Sequence, residues 1–307
     1  MQYKPISVKI LLLAASLIFH SALSAQNKAG GEAPLRTAQG RVIYNFSYMK
    51  DTAHRSYFYT ETFELDYDKS SSLYSSYTKK ESDSATYSQV AKAFKEAPDP
   101  DHVDVVLTGK TTTNDQFFTE RSGKTSVNEL RFLAGTPFII PSRHPVINWS
   151  ITDSTKTIKG FVCQKATGES YGRRYTAWFC ADLPYRFGPR RLNGLPGLIL
   201  EAYDEKREIV YTLNRVEDFN AGIPPFGLQT NAEIVTPEAF AKAKDAYKRN
   251  PQAFIDANRK KMSGAPRPKG GLLDGFDASK IKSVSVNKSK PDPSDITLNN
   301  PIDLQKD

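Results

Sequence analysis

A proline- and glycine-rich stretch near the middle of the sequence constrains the fold more than any other feature. It reads FGPRRLNGLPGLIL over Phe187–Leu200 and lies between two segments in which apolar and polar residues alternate. Pro196 has the fixed φ that the second position of a type II turn needs, and Gly197 can take the positive φ that the third position requires. The stretch therefore predicts a connection between two β-strands, and its expected structural turn residues are Gly188, Pro189, Gly194, Pro196 and Gly197.

Alternation with period two recurs along most of the chain and predicts further strands. One such segment carries Val42, Tyr44, Phe46 and Tyr48, and another covers residues 57–67. After residue 147 the alternating segments follow one another at short spacing, as in an antiparallel meander. We therefore predict a mainly β fold: a curved antiparallel sheet or partial β-barrel meander with one or two C-terminal α-helices and a disordered tail.

Four segments in the first half of the chain give more local predictions. Ser84–Phe94 is expected to form a short helix. Val103–Thr108 and Gln116–Arg121 are expected to pair as a hairpin. Pro137–Pro145 contains three prolines, which confine it to a sheet edge or a loop.

The C-terminal part of the sequence predicts helices and then a tail. Thr236–Glu238 supplies a capping hydroxyl, a proline for the first turn and an acidic residue, and Arg249–Pro251 supplies the stop signal, after which a second short helix can begin. Beyond Met262 the chain consists mostly of Gly, Pro, Ser, Lys and Asp with hardly an aromatic residue, which predicts disorder. The predicted domain organisation is a signal peptide (1–25), a flexible lead-in (26–39), one β-rich domain (40–262) and a disordered tail (263–307).

The N-terminus has the layout of a cleavable secretory signal. Lys4 and Lys9 precede the mostly apolar run Ile10–Phe19, and the small residues Ala22 and Ala25 follow. We therefore expect an exported protein, periplasmic or secreted. With no cysteine near the cleavage region, we do not expect a lipid anchor. No later segment is apolar for long enough to cross a membrane, so the mature chain is expected to lack a membrane span.

The central stretch also carries a resemblance to a known family. Gly194–Ile199 spells GLPGLI, and five further segments occur in the order that the family shows: Trp149–Asp153, Ile158–Ala166, Gly172–Phe179, Asp182–Pro184 and Gly188–Pro189. The chain thus resembles the GLPGLI family of exported bacterial proteins. It departs from the family where Arg190 replaces a frequent aromatic and Cys180 a usual hydroxyl residue. The resemblance implies a fold and a location outside the cytoplasm, without an assigned chemistry.

The two cysteines, Cys163 and Cys180, flank a polar segment that reads as a hairpin connection. A hairpin centred on Tyr171 and Gly172 would place the two cysteines opposite each other. Because disulfides persist in exported proteins, we favour a disulfide over two unpaired buried thiols.

One motif suggests an enzyme but lacks the required context. Residues 168–172 read GESYG, which fits the Gly-x-Ser-x-Gly nucleophile elbow of hydrolases around Ser170. A strand follows where the elbow needs a helix, and the histidines considered, His54, His102 and His144, precede the serine. The motif is therefore interpreted as a polar hairpin loop.

Metal, cofactor and nucleic-acid binding are not predicted. Asp99, Asp101, His102 and Asp104 are crowded, but no second ligand group follows at a recognisable spacing, so a solvated turn is favoured. No phosphate-binding glycine loop or Cys-x-x-Cys occurs. The formal net charge of +8 owes much to residues 242–261 and is interpreted as favouring solubility and attraction to an anionic envelope surface.

A cluster of arginines beside aromatic residues is the strongest binding signal. The candidate ligand-binding residues are Arg173, Arg174, Trp178, Arg190 and Arg191. Guanidinium groups next to aromatic faces suit acidic peptides, glycans or phosphates. The simpler interpretation is that the arginines are solvated rim residues and the aromatics belong to the core, because exposed charge runs seldom bind a ligand. We predict a non-catalytic protein that binds, or is accessory to, an envelope protein, peptide or glycan. The alternative is a periplasmic hydrolase acting on peptide or glycan with carboxylates that the sequence does not place.

Overall fold

A computed structural model describes most of the chain after residue 34. The described residues are 35–99, 101–109, 112–121, 126–143, 146–218, 222–228, 232–262, 276–288 and 297–304. The predicted signal peptide and most of the predicted lead-in lie outside these ranges. Within them, no helix is both long and apolar enough to span a membrane.

The described residues form fourteen strands and three α-helices. The strands are β1 (Gly40–Tyr48), β2 (Tyr59–Tyr67), β3 (Ser71–Ser76), β4 (Val103–Gly109), β5 (Gln116–Glu120), β6 (Ser126–Leu133), β7 (Thr136–Arg143), β8 (Ser150–Ile158), β9 (Phe161–Ser170), β10 (Arg173–Cys180), β11 (Leu198–Asp204), β12 (Ile209–Asp218), β13 (Glu233–Ile234) and β14 (Ile281–Lys288). The helices are α1 (Tyr77–Glu96), α2 (Pro237–Arg249) and α3 (Pro251–Met262), and a 3-10 helix covers Ala278–Lys280.

Twelve of these strands form one sheet in the order β13-β7-β6-β5-β3-β2-β1-β12-β11-β10-β9-β8. Neighbours are antiparallel except for the short pair β13–β7. The prediction of a mainly β, largely antiparallel fold is confirmed. The sheet is open, because β13 and β8 form its two ends. The central pair β1–β12 joins the N-terminal and C-terminal halves of the chain.

The hydrophobic core is built around β1, β11 and β12, whose apolar positions alternate as the sequence predicts. Tyr44 is fully buried and donates its hydroxyl hydrogen to the carbonyl oxygen of Ile199 at 2.7 Å. Burial of apolar surface of this kind supplies most of the free energy that stabilises a sheet of this size.

The connection between β10 and β11 lies where the sequence predicts it, but its turn chemistry differs. Gly194 has a φ of 96°, whereas Gly197 does not have a positive φ, so the prediction of a type II turn centred on Pro196 and Gly197 is wrong. Gly197 is required for close approach instead: a Cβ there would lie 2.0 Å from the carbonyl oxygen of Cys180. The β9–β10 hairpin does turn at Tyr171 and Gly172, both with positive φ.

Strand β4 and helix α1 differ from the predictions. Strand β4 does not pair with β5, because β5 already has β3 on one side and β6 on the other. It pairs in parallel with β14 and packs against α1, where Val90, Val103 and Val105 are buried together. The helix is also longer than predicted, since Ser76 caps it by accepting a hydrogen bond from the backbone N–H of Lys79 at 2.9 Å.

Part of the predicted disordered tail is ordered, which corrects that prediction for residues 276–288 and 297–304. Strand β14 gains its order from a backbone ladder with β4, although Val284 and Val286 remain exposed. Residues 297–304 pack against β1 and the β9–β10 turn through polar contacts. Low apolar content predicts disorder only when no neighbouring backbone forms hydrogen bonds with the segment.

Candidate functional site

A cavity of about 430 Å³ and a larger one of about 670 Å³ lie on the described part of the molecule. The larger one, here the aromatic pocket, is lined by seven aromatic side chains: Phe46, Tyr48, Tyr59, Phe63, Tyr74, Phe117 and Tyr211. They come from β1, β2, β3, β5 and β12, and the sheet register brings them together. Phe46, for example, stands opposite Tyr211 on β12 and opposite Glu61 on β2.

The rings of the aromatic pocket pack closely. The ring centroids of Phe46 and Tyr211 are 4.9 Å apart, and those of Phe63 and Tyr74 are 4.8 Å apart in a stacked arrangement. Each such pair contributes about 0.5–1.5 kcal/mol beyond its buried area. The floor of the pocket is therefore rigid and largely apolar.

Glu61 is a buried carboxylate in this pocket, with 5% of its surface exposed. It accepts hydrogen bonds from the hydroxyls of Tyr59 and Ser76, and from the backbone N–H of Thr113 at 3.1 and 3.3 Å. Burial raises its pKa, because the charged form is poorly solvated, while these hydrogen bonds and Lys50 act in the opposite direction.

Charged groups surround the mouth of the aromatic pocket. The Nζ atom of Lys50 lies 3.8 Å from the centre of the Tyr59 ring, which is a cation–π contact. Arg131 pairs with Asp115 at 3.0 Å, and the exposed Lys244 reaches the pocket from α2. The rim thus presents both signs of charge beside an aromatic floor.

Arg190 lies in the wall of the pocket and is held by Asp303. Its two terminal nitrogens contact the two carboxylate oxygens at 2.5 and 2.8 Å, and its guanidinium lies 4.9 Å from the centre of the Phe117 ring. Burial disfavours both charges. The ion pair outweighs burial, so the pKa of Arg190 is raised and that of Asp303 is lowered.

Arg173 and Arg191 are buried in ion pairs of their own. Arg173 donates to Asp204 at 2.7 Å and to Glu208 at 3.4 Å. Arg191 pairs with Glu129 and lies 4.3 Å from the centre of the Tyr171 ring. These carboxylates come from strands and loops far away in sequence, which is why the local sequence shows an excess of positive charge.

The five predicted binding residues do not form one surface. Alternation along β10 places Arg173 on one face of the sheet and Arg174 and Trp178 on the other. Arg174 is exposed and lines the smaller cavity, and Trp178 is half-buried with the Nζ of Lys156 4.5 Å from its ring centre. Arg173, Arg190 and Arg191 instead converge on one segment of the chain itself. A ligand-binding role for the five residues stays a prediction.

That segment is Thr297–Leu304, here called the docked segment. Arg173 donates to the carbonyl oxygens of Pro301 at 2.7 Å and Ile302 at 2.9 Å. Asp51 accepts from the backbone N–H of Thr297 at 3.0 Å, and this hydrogen bond is the main cause that holds the pKa of Asp51 well below its usual range. The docked segment also forms one side of the aromatic pocket.

The sequence does contain a signal for Glu61. At alternate positions of β2 the chain reads Tyr59, Glu61, Phe63, Leu65 and Tyr67, so a single charged residue stands on an otherwise apolar face. A lone carboxylate at such a position marks a buried polar site. The docked segment carries no comparable signal, because its partners are remote in sequence.

The structure also places the remaining residues that were weighed as a nucleophile or as metal ligands. Ser170 is buried at the end of β9, and the chain continues through a turn into β10, so the context of a nucleophile elbow is absent there. His102 Nδ1 lies 2.6 Å from Asp99 in a turn. Among the described residues, no group of three or more His, Cys, Asp or Glu side chains is placed to hold a metal ion.

The two cysteines are buried free thiols, so the structure does not contain the predicted disulfide. The β9–β10 ladder pairs Phe179 with Gln164, and the cysteines lie one step beyond this last paired position. Burial raises the pKa of the Cys163 thiol to about 12, with Cys180 adding to the effect.

Comparisons with known proteins match a family model over a short stretch of the chain and two solved structures at low similarity. A family model described as "Protein of unknown function (Porph_ging)" matches residues 169–201, which include the GLPGLI hexapeptide. No curated protein matches the chain. Two structures of PNGF-II, in different space groups, are similar at 14% and 13% identity with TM-scores of 0.44 and 0.42, over 65% and 66% of this chain. The chain spans 31% of the length of each. The stretch from β9 to β11 is therefore similar to a family whose description names no function, which is consistent with the resemblance predicted from the hexapeptide.

Proposed function

We propose that this chain is an exported, non-catalytic binding protein of the bacterial envelope that takes a peptide segment of another envelope component in the aromatic pocket. The observation that carries the proposal is the pocket itself: an aromatic floor, charges of both signs at the rim, and one side already formed by another segment of the chain. Pockets with an apolar lining and few convergent polar groups are the common form of ligand sites.

A peptide fits the chemistry of this pocket better than a purely apolar ligand. Aromatic floors accept apolar side chains, while Lys50, Arg131 and Asp115 at the rim suit the polar groups of a peptide backbone or charged side chains. Tyr59 is the pocket aromatic that remains half-exposed, so part of its ring borders solvent at the pocket mouth beside Lys50.

Selection from a displayed peptide library tests the proposal. We expect enriched peptides to bind the wild type and to bind Tyr59→Ala at least about tenfold more weakly, since aromatic anchors dominate such interfaces. Tyr203→Ala is the matched control, because Tyr203 is also half-buried and carries Arg207 over its ring at 4.0 Å, outside the pocket. Equal binding by the two variants, or no enrichment, would contradict the proposal.

A second candidate function is a periplasmic hydrolase acting on peptide or glycan. The observation that favours it is that Glu61 and Asp115 line one pocket in different environments, one buried with a raised pKa and the other paired with Arg131. Two carboxylates that line one pocket in different environments are a pattern of acid–base catalysis. We favour binding because both oxygens of Glu61 already accept hydrogen bonds.

An assay of substrate cleavage decides between the two functions. Fluorescent peptide and oligosaccharide pools are incubated with the wild type, Glu61→Gln and Asp115→Asn. Cleavage by the wild type that both variants lose would establish the hydrolase. Intact pools under conditions where the selected peptides bind are the outcome that the binding function predicts.

A further inference from the structure

The docked segment is bound along its backbone, as a bound peptide is, and also through side-chain contacts of Asn299, Asn300 and Asp303. The Tyr48 hydroxyl donates to the carbonyl oxygen of Asn300, and the N–H of Asn300 donates to the carbonyl oxygen of Lys50 at 3.2 Å. Further along, the N–H of Leu304 donates to the carbonyl oxygen of Tyr171 at 3.0 Å. Together with the two carbonyl contacts of Arg173, these bonds follow the segment over most of its length.

One side chain of the docked segment is fully recognised. Asn300 is buried, its amide nitrogen donates to the carbonyl oxygen of Met49 at 2.8 Å and to Glu208 at 3.1 Å, and its amide oxygen accepts from Arg173 at 2.5 Å. Both ends of the amide are therefore satisfied. A site that satisfies a buried amide completely discriminates strongly against side chains that lack it.

A carboxylate three residues later supplies the second anchor. Within the described residues, Asp303 is the one carboxylate within ion-pair distance of Arg190, whereas Arg173 and Arg191 have carboxylate partners outside the docked segment. A buried guanidinium without a partner is strongly disfavoured. The groove therefore demands an anion at this position.

Most other side chains of the docked segment face solvent. Leu298 and Leu304 have 75% and 51% of their surface exposed, and Pro301 is exposed as well. The segment thus buries little apolar surface and depends on polar anchors, which another segment with the same polar groups can also meet.

We infer that this groove, formed by Tyr48, Arg173, Arg190 and Arg191, is a peptide-recognition site for an acidic segment of another protein with the order Asn, Pro, apolar, Asp, and that the chain's own residues 297–304 are its resident occupant. The inference rests on the proposed function and deepens it by naming a peptide chemistry, and the groove shares Tyr48 and Arg190 with the lining of the aromatic pocket. An external segment binds by replacing the resident one.

Peptide exchange after cutting tests the inference. A protease site is placed between residues 288 and 297 of the full chain, and the folded protein is cut. A labelled synthetic peptide of sequence TLNNPIDL is then titrated. We expect it to bind the cut protein and to displace the resident fragment, and a peptide with the change Asp303→Asn to bind at least about tenfold more weakly, because it leaves Arg190 unpaired. A peptide with the change Leu304→Ala is the matched control and should bind equally well, because that leucine side chain is largely exposed.

Three outcomes would overturn the inference. The cut protein keeps its fragment and takes up no labelled peptide, or it unfolds on cutting, which would make the segment a permanent part of the fold. Dimers of the uncut chain that disappear with Asp303→Asn would assign the groove to the same segment of a second copy. Library-selected peptides are titrated on the uncut protein in parallel. Loss of exchange with retained library binding, or the reverse, distinguishes failure of the groove from failure of the aromatic pocket.

Discussion

Arg190 and Asp303, 113 residues apart in sequence, form a two-point ion pair that fastens the C-terminal part of the chain to the wall of the aromatic pocket. Arg190 follows strand β10, and Asp303 belongs to the docked segment. The pair links the stability of the C-terminal segment to the shape of the pocket.

Removing the acidic partner should destabilise the protein. We expect Asp303→Asn to lower the free energy of unfolding by about 2–3 kcal/mol, somewhat less than a fully buried pair, because 14% and 23% of the two side chains are exposed. Urea denaturation measures the change. Asp83→Asn breaks the exposed pair Lys79–Asp83 and should cost less than about 0.5 kcal/mol. Similar losses for the two variants would show that the Arg190 pair is no stronger than a surface pair.

Acid should release the docked segment. The pKa values of Asp303 and Asp51 are lower in the folded protein than their ordinary values, so both carboxylates stabilise the fold when ionised. Their contribution is fully present above the ordinary value of about 4 and is lost as the pH falls through the folded-state values. Hydrogen exchange of residues 297–304 should therefore accelerate below about pH 4 relative to β1. A constant ratio between the two regions down to acid unfolding would contradict this coupling.

The effect of Glu61 on the pH dependence of stability should have the opposite sign to that of Asp303 and Asp51. Burial raises its pKa, so its contribution to stability is present below the ordinary value and is lost as the pH rises through the folded-state value. We expect Glu61→Gln to be relatively more stable than the wild type at pH 8 than at pH 4. Urea denaturation at both values measures the difference, and a difference of reversed sign would mean that hydrogen bonds from Tyr59, Ser76 and Thr113 outweigh burial.

Gly197 should tolerate no side chain. A Cβ there would lie 2.0 Å from the Cys180 carbonyl oxygen, so Gly197→Ala is expected to cost about 3 kcal/mol or more through overpacking. Gly160→Ala is the control, because Gly160 has a φ of 92° with open space around it, and its cost should stay near 1 kcal/mol. Thermal unfolding compares the two, and a smaller loss for Gly197→Ala would contradict the close approach.

The sheet could be predicted from the sequence because period-two alternation is local. Val42, Tyr44 and Phe46 report the buried face of β1 without reference to any other strand. The turn at Tyr171 and Gly172 was likewise predictable, since hairpin register depends on nearby residues.

The candidate site could not be predicted in the same way, because its contacts are long-range. The arginines between residues 173 and 191 have one acidic neighbour in sequence, Asp182, while their actual partners come from other strands and from the C-terminal segment. The side-chain amide of Asn300 donates to the carbonyl oxygen of Met49, which is 251 residues away in sequence. Composition predicts disorder for such a segment because it reflects only the apolar content. It does not reflect the backbone hydrogen bonds that remote parts of the chain supply.

Blocking the aromatic pocket tests the central claim most directly. Thr112 lines the pocket and Thr60 is exposed at an alternate position of β2, facing away from it. Thr112→Cys and Thr60→Cys are each labelled with a bulky maleimide, and titration calorimetry measures the affinity for a library-selected peptide. The account predicts that the label at residue 112 abolishes binding and the label at residue 60 leaves the affinity unchanged. Undiminished binding with the label at residue 112 would contradict it.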